Sequence, residues 1–194
     1  MDKKILGEIA NSNEYPGVRF GKDVVLYGKV IIKKGTYIGD NSIIGKPTAD
    51  HIEEKSPLAE TIIGSNVYIG AYCIIYNGAK IGQGVRIEER CNIGWNSIIG
   101  TKSQVIYGSQ LYYRVNVGRR CIIGGFCCDR VKIEDDVIMF GKLIHKFPLK
   151  LIRRFSNPIA LFNSNIKEKS PIIRKKAVIG FDAIIIGGIE IGFN

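Results

Sequence analysis

The sequence predicts an all-β fold, a parallel β-helix of about seven coils with two loop excursions, on three observations. The first is a period of six. Aliphatic or aromatic residues stand at Phe20, Leu26, Ile32, Ile38 and Ile44, then at every sixth position from Ile63 through Ile123, at Ile133 and Met139, and again from Ile173 through Ile191: twenty-two positions in all. The second is the residue that follows, often glycine, as at Gly39, Gly70, Gly94 and Gly180. The third lies two places before each aliphatic, where side chains are small or β-branched: Ser42, Thr61, Cys73, Ala79, Ser97, Ser103, Cys121 and Ala183 among them.

Inward positions at i and i−2 have the period of a strand, and the corner residues between them rule out a continuous amphipathic helix. Each hexapeptide is therefore one short strand and one turn, with glycine fitting a sharp corner. Three units, about eighteen residues, close one triangular coil, and coils stack by parallel pairing at roughly 4.8 Å.

At 194 residues the chain is read as one domain, residues 1–194. Residues 1–16 form an N-terminal cap, 46–60 and 141–171 the excursions, and 172–194 the terminal coil. The start lacks the apolar run of a signal peptide, which predicts a cytoplasmic chain. Of the five cysteines, Cys73, Cys91, Cys121 and Cys127 take the small inward position and read as packing residues, whereas Cys128 falls outside the rule. No C-x-x-C pair suggests a zinc or redox site. The formal charge of +10 is concentrated: residues 142–176 hold ten basic residues against the single acid Glu168. That concentration is read as a local phosphate site rather than a nucleic-acid surface, although "HKFPLKLIRRF" also resembles a basic amphipathic membrane-surface segment.

The repeat closely resembles that of the hexapeptide-repeat acyltransferases over residues 18–193. The resemblance, not the periodicity, implies left-handed coiling and acyl transfer. "IEDDVI" (133–138) and "RKKAVIGFDAIIIGGIEIG" (174–192) look like the sugar and nucleotide-sugar acetyltransferase branch. That branch implies acetyl-coenzyme A as co-substrate, no metal, and a homotrimer with active sites between adjacent prisms. The acceptor would be a hydroxyl or amine of a sugar or nucleotide sugar. In the family another coil, then a helix or loop that covers the open end, follows "GGIEIG", so the stop at Asn194 is read as a truncation, a partner-covered end or an incomplete cofactor site. A non-catalytic assembly subunit is the alternative.

Solenoids accept insertions at corners, which makes the excursions the candidate functional face. Acyl transfer to a hydroxyl needs a base, and imidazole titrates in the right range. His145 stands where the resemblance puts the catalytic loop and is the candidate base. His51, in an excursion with Glu53, Glu54 and Glu60, reads as a surface or packing histidine. Arg174, Lys175 and Lys176 suit the phosphates of coenzyme A. Nearby Gly180, Ala183, Gly187 and Gly188 would let the pantetheine arm approach the backbone. Glu89, in "EER" where the branch carries an Arg-Glu-Asn element, Trp95, which could stack on a base, and Asp136 are the candidate acceptor contacts. Tyr68, Tyr72, Tyr76, Trp95, Tyr107, Tyr112 and Tyr113 are expected at outward or corner positions, suited to prism contacts. "GDNSIIGKPT" has the wrong spacing for a P-loop, "GQGVRI" lacks a third glycine, and two histidines are too few for a β-helical carbonic anhydrase.

Overall fold

A computed structural model describes residues 7–54, 56–146 and 169–192. Lys150, Arg153, Arg154 and Lys167 lie outside the described residues, as do most of the membrane-like segment and residues 1–6 of the N-terminal cap.

The chain winds as a left-handed parallel β-helix with three faces. Phe20, Ile38, Ile69, Ile87, Val105, Ile123, Met139 and Ile179 stack up the first face. Leu26, Ile44, Ile75, Ile93, Leu111, Cys127, Leu143 and Ile185 stack up the second. Ile32, Ile63, Ile81, Ile99, Val117, Ile133, Ile173 and Ile191 form the third. Most of these side chains are fully buried.

The described residues therefore make eight rungs, one more than twenty-two aliphatic positions imply. Two rungs contain a shortened corner. The strands Ile122–Cys127 and Ile138–Ile144 each run through two faces without a break, so the inward residue falls four places on, at Cys127 and Leu143. Gly125 and Gly141 make this possible. Gly125 has φ +104°, and a Cβ there would lie 2.2 Å from the Gly141 carbonyl oxygen. The second excursion accordingly leaves after Ile144, not at Gly141.

The ordinary corners also differ from expectation. The left-handed residue is not the one after the aliphatic but two further on, as at Asn41, Arg90, Asn96, Arg114 and Asp136. Glycine after the aliphatic is needed for close approach instead: a Cβ on Gly94 would sit 2.4 Å from the Tyr112 carbonyl oxygen of the next rung.

The small inward residues also do more than fill space. Ser103 Oγ donates to the Gly118 carbonyl at 2.8 Å and accepts from the Cys121 N–H at 3.0 Å. Ser42 and Ser97 bridge successive rungs in the same way. The Cys73, Cys91 and Cys121 thiols donate to the carbonyls of Glu88, Ile106 and Glu134 at 3.0–3.1 Å. Cys128, which the repeat does not place, is buried as well.

Below the first rungs, residues 7–16 cover one end: Glu8–Ile9 pairs antiparallel with Val25–Leu26, and Tyr15 packs edge-on to Phe20. Among the described residues no helix is long and apolar enough to cross a membrane.

Candidate functional site

Both excursions leave the prism at the same corner, between the second and third faces. The first departs after the strand Ile43–Lys46 and returns at Thr61; the second departs after Ile144 and returns at Ile172. Five rungs separate the departures. Functional side chains gathered on this edge thus come from parts of the chain about a hundred residues apart.

The first excursion contains a short helix, α1 (Ala49–Glu53), which turns back over the edge. Thr48 Oγ1 lies 2.6 Å from His51 Nδ1 and holds the ring. The imidazole stands edge-on to Trp95, with ring centroids 5.5 Å apart and planes at 71°. Trp95 is therefore a corner residue covered by protein, half-buried rather than outward. Arg114 lies over its ring at 4.5 Å, and Tyr113 meets it edge-on at 6.4 Å. The Nε1–H of Trp95 is buried with no acceptor among the described residues. Tyr113 also touches Tyr76 and Tyr112, and Tyr112 leans on Phe126 at 5.4 Å.

His145 follows the strand Ile138–Ile144 on this same corner, three rungs above Trp95 and so roughly 14 Å along the axis. It is half-buried, with Nδ1 turned away from solvent. Beneath it, burial pushes the Cys128 thiol up to about 11, against a hydrogen bond from the His145 backbone that lowers it. Such a thiol is no nucleophile near neutral pH. Gly187 donates its N–H to the Ile144 carbonyl at 2.8 Å, which places Gly187 and Gly188 one rung above His145.

The other candidates fall elsewhere. Arg174, Lys175, Lys176 and Asp136 occupy the corner between the third and first faces, and Glu89 and Gly180 the corner between the first and second. Ala183 faces the core beside Gly141. Several are already engaged. The Arg174 guanidinium bridges Glu134, at 2.8 Å, and Glu190, and these carboxylates hold its pKa up. Asp136 is paired with Arg120 at 2.6 and 2.9 Å, and Asp135 with Arg119 at 2.7 and 3.0 Å. The acidic run is thus a row of corner staples. Glu89 accepts the Tyr68 hydroxyl at 3.0 Å. Lys175 and Lys176 remain exposed, and the surface at Gly180 is open, with nothing within 4 Å of a Cβ built there.

Sequence reasoning missed Asn77 and Arg114. Asn77 occupies a corner, is fully buried, and fastens both ends of the first excursion through Lys46 and Ala59. Its signal was an asparagine at the corner position that Trp95 and Tyr113 fill on the next two rungs. Arg114 had no signal, because the aromatic it covers, Trp95, lies nineteen residues away and is a neighbour only once the coils are stacked.

Fold and repeat together define a left-handed β-helix of the hexapeptide type. Residues 60–94 match the family model described as bacterial transferase hexapeptide (six repeats). An acyl-[acyl-carrier-protein]–UDP-N-acetylglucosamine O-acyltransferase of Campylobacter concisus is 31% identical over 143 residues, covering 64% of this chain and 54% of the relative. A UDP-3-O-acylglucosamine N-acyltransferase of Bordetella pertussis is 43% identical over 134 residues, covering 66% of this chain and 36% of the relative. The chain thus spans about half or less of the length of these curated relatives. Among solved structures, PerB from Caulobacter crescentus, in complex with CoA and GDP-perosamine, aligns with 63% of this chain and 47% of its own at 18% identity and a TM-score of 0.31.

Proposed function

We propose that the chain is an acyltransferase that moves an acetyl group from acetyl-coenzyme A to a hydroxyl or amine of a sugar or nucleotide sugar. The observation that carries the reading is the shared corner: both excursions of a hexapeptide prism open on one edge, and His145 stands at the foot of the second. The relatives' acyl transfer to glucosamine nucleotides agrees with it.

The acetyl donor would supply the thioester carbonyl. His145, through Nε2, would take the proton of the acceptor hydroxyl as that oxygen attacks, and return it to the departing thiolate. Such a base contributes roughly 10²–10⁴-fold. Lys175 and Lys176, exposed and without ion-pair partners among the described residues, are available to the phosphates. Gly180 and Gly187 lie on the rung they introduce, where open backbone suits the pantetheine arm, whereas Gly188 is covered by the Lys169 side chain.

In a single prism these residues occupy different corners. A homotrimer, in which one chain's edge meets another corner of its neighbour, would bring them to one site. The exposed Tyr72, Tyr107 and Ile98, and Val178, Phe181 and Ile184 on the last rung, are surfaces such contacts would cover. His145→Ala, assayed with acetyl-coenzyme A and a panel of amino sugars and nucleotide sugars, should lower turnover by roughly 10²-fold or more while leaving assembly mass unchanged. Unaltered turnover would remove His145 from the mechanism.

A further inference from the structure

The edge between the excursions carries a second arrangement that the transfer step does not use. In successive rungs the Arg114 N–H donates to the Trp95 carbonyl at 2.8 Å and the Arg130 N–H to the Tyr113 carbonyl at 2.9 Å. Arg114 and Arg130 therefore stand one above the other, about 4.8 Å apart along the axis, and both are exposed. Beside them the Tyr112 ring is 48% exposed and is braced from behind by Tyr113 and Phe126. The carboxylates felt by Tyr113 are Asp129 and Asp50, and Asp129 Oδ1 accepts the Tyr113 N–H at 3.1 Å; Glu53, Glu54 and Glu60 belong to the first excursion on the same edge. Below, α1 closes the edge with His51 on Trp95, whose buried Nε1–H still wants an acceptor.

A braced, exposed aromatic face suits a nucleobase, and two exposed arginines on successive rungs, one of them lying over Trp95, suit adjacent phosphates. We propose that this edge seats the nucleoside diphosphate of the acceptor, with Tyr112 under the base and Arg114 and Arg130 on the phosphates. The assignment rests on the acyltransferase reading and adds to it that the acceptor is a nucleotide sugar held below His145, apart from the basic corner at Lys175 and Lys176.

Trp95 is the only tryptophan, so its emission reports directly on the Arg114 contact. The test titrates the purified protein with uridine diphosphate, with and without saturating coenzyme A, and measures acetyl-coenzyme A binding separately by calorimetry. A saturable change in emission that coenzyme A does not abolish is expected. Tyr112→Leu and Arg130→Gln, neither of which touches Trp95 in the structure, should each weaken it about tenfold, and both variants should keep the native circular dichroism and acetyl-coenzyme A affinity. No saturable response at millimolar uridine diphosphate, or a response unchanged in both variants, overturns the proposal. Displacement by coenzyme A overturns it too, because the seat then belongs to the donor's nucleotide. Acetyl-coenzyme A binding without uridine diphosphate binding sinks this inference alone; uridine diphosphate binding without acetyl-coenzyme A binding sinks the acyltransferase reading and leaves a nucleotide site.

Discussion

Asn77 and Lys46 are joined twice: the Asn77 backbone N–H donates to the Lys46 carbonyl at 3.0 Å, and its Nδ2 donates to the same oxygen at 3.3 Å. With Oδ1 taking the Ala59 N–H, one buried amide holds the base of a fourteen-residue excursion closed. Asn77→Ala strands the Ala59 N–H and leaves the Lys46 carbonyl with only its backbone bond, a cost of about 1–3 kcal/mol. Because the loop is held locally, the variant should show faster proteolysis within 46–60 and a shift in Trp95 emission as His51 lifts away. Its thermal midpoint should fall by only a few degrees. An unchanged emission spectrum would mean that the loop is fastened elsewhere.

The shortened corners depend on Gly125. Alanine there meets the Gly141 carbonyl at 2.2 Å and a φ of +104°. Both effects are unfavourable, and Gly125→Ala should lose about 2 kcal/mol or more in urea unfolding. Gly180→Ala is the control: its Cβ enters open space, and the change should stay within about 0.5 kcal/mol. Equal losses in the two variants would contradict the eight-rung register.

Ser103 bridges two rungs from a fully buried position. Ser103→Ala strands a buried N–H and a carbonyl at about 1–3 kcal/mol. Ser103→Cys, which copies the thiol bridges of Cys73, Cys91 and Cys121, should recover part of that loss. Alanine and cysteine variants of equal stability would reduce the small inward position to packing alone.

The Arg119 guanidinium, and then its backbone N–H, hold the Asp135 carboxyl down to about 2. An unfolded aspartate titrates near 3.9. Between those values the unfolded chain takes up a proton that the folded chain refuses, so the contribution of this pair is complete above pH about 4 and is lost as pH falls toward 2. Asp135→Asn should flatten the acid limb of the stability profile in that window and leave the profile above pH about 5 unbent. An acid limb identical to that of the parent would show the pair to be screened.

The prism itself was legible because its cause is local. A six-residue period fixes which side chains face inward, and twenty-two of the twenty-four inward aliphatic-column positions followed from it. Cys127 and Leu143 escaped because a four-residue step breaks the count while preserving the stack, and only strand pairing reveals it. The site was less legible for the same reason in reverse. His145 and Trp95 share an edge because of where three further coils place them. Arg174 and Asp136 looked free in sequence, but their partners Glu134, Glu190 and Arg120 are brought to them by coil closure. His51 was read as a packing residue, and it does pack, on Trp95, forty-four residues away.

Acyl transfer by this prism requires that an acetyl donor bind at its basic corner. Titration of the purified protein with acetyl-coenzyme A in a calorimeter at two salt concentrations tests it most directly. About one donor should bind per chain, with affinity falling as salt rises because lysines hold the phosphates, and weaker still in a Lys175→Gln, Lys176→Gln double variant. A folded, assembled protein that shows no heat of binding at either salt concentration would contradict it.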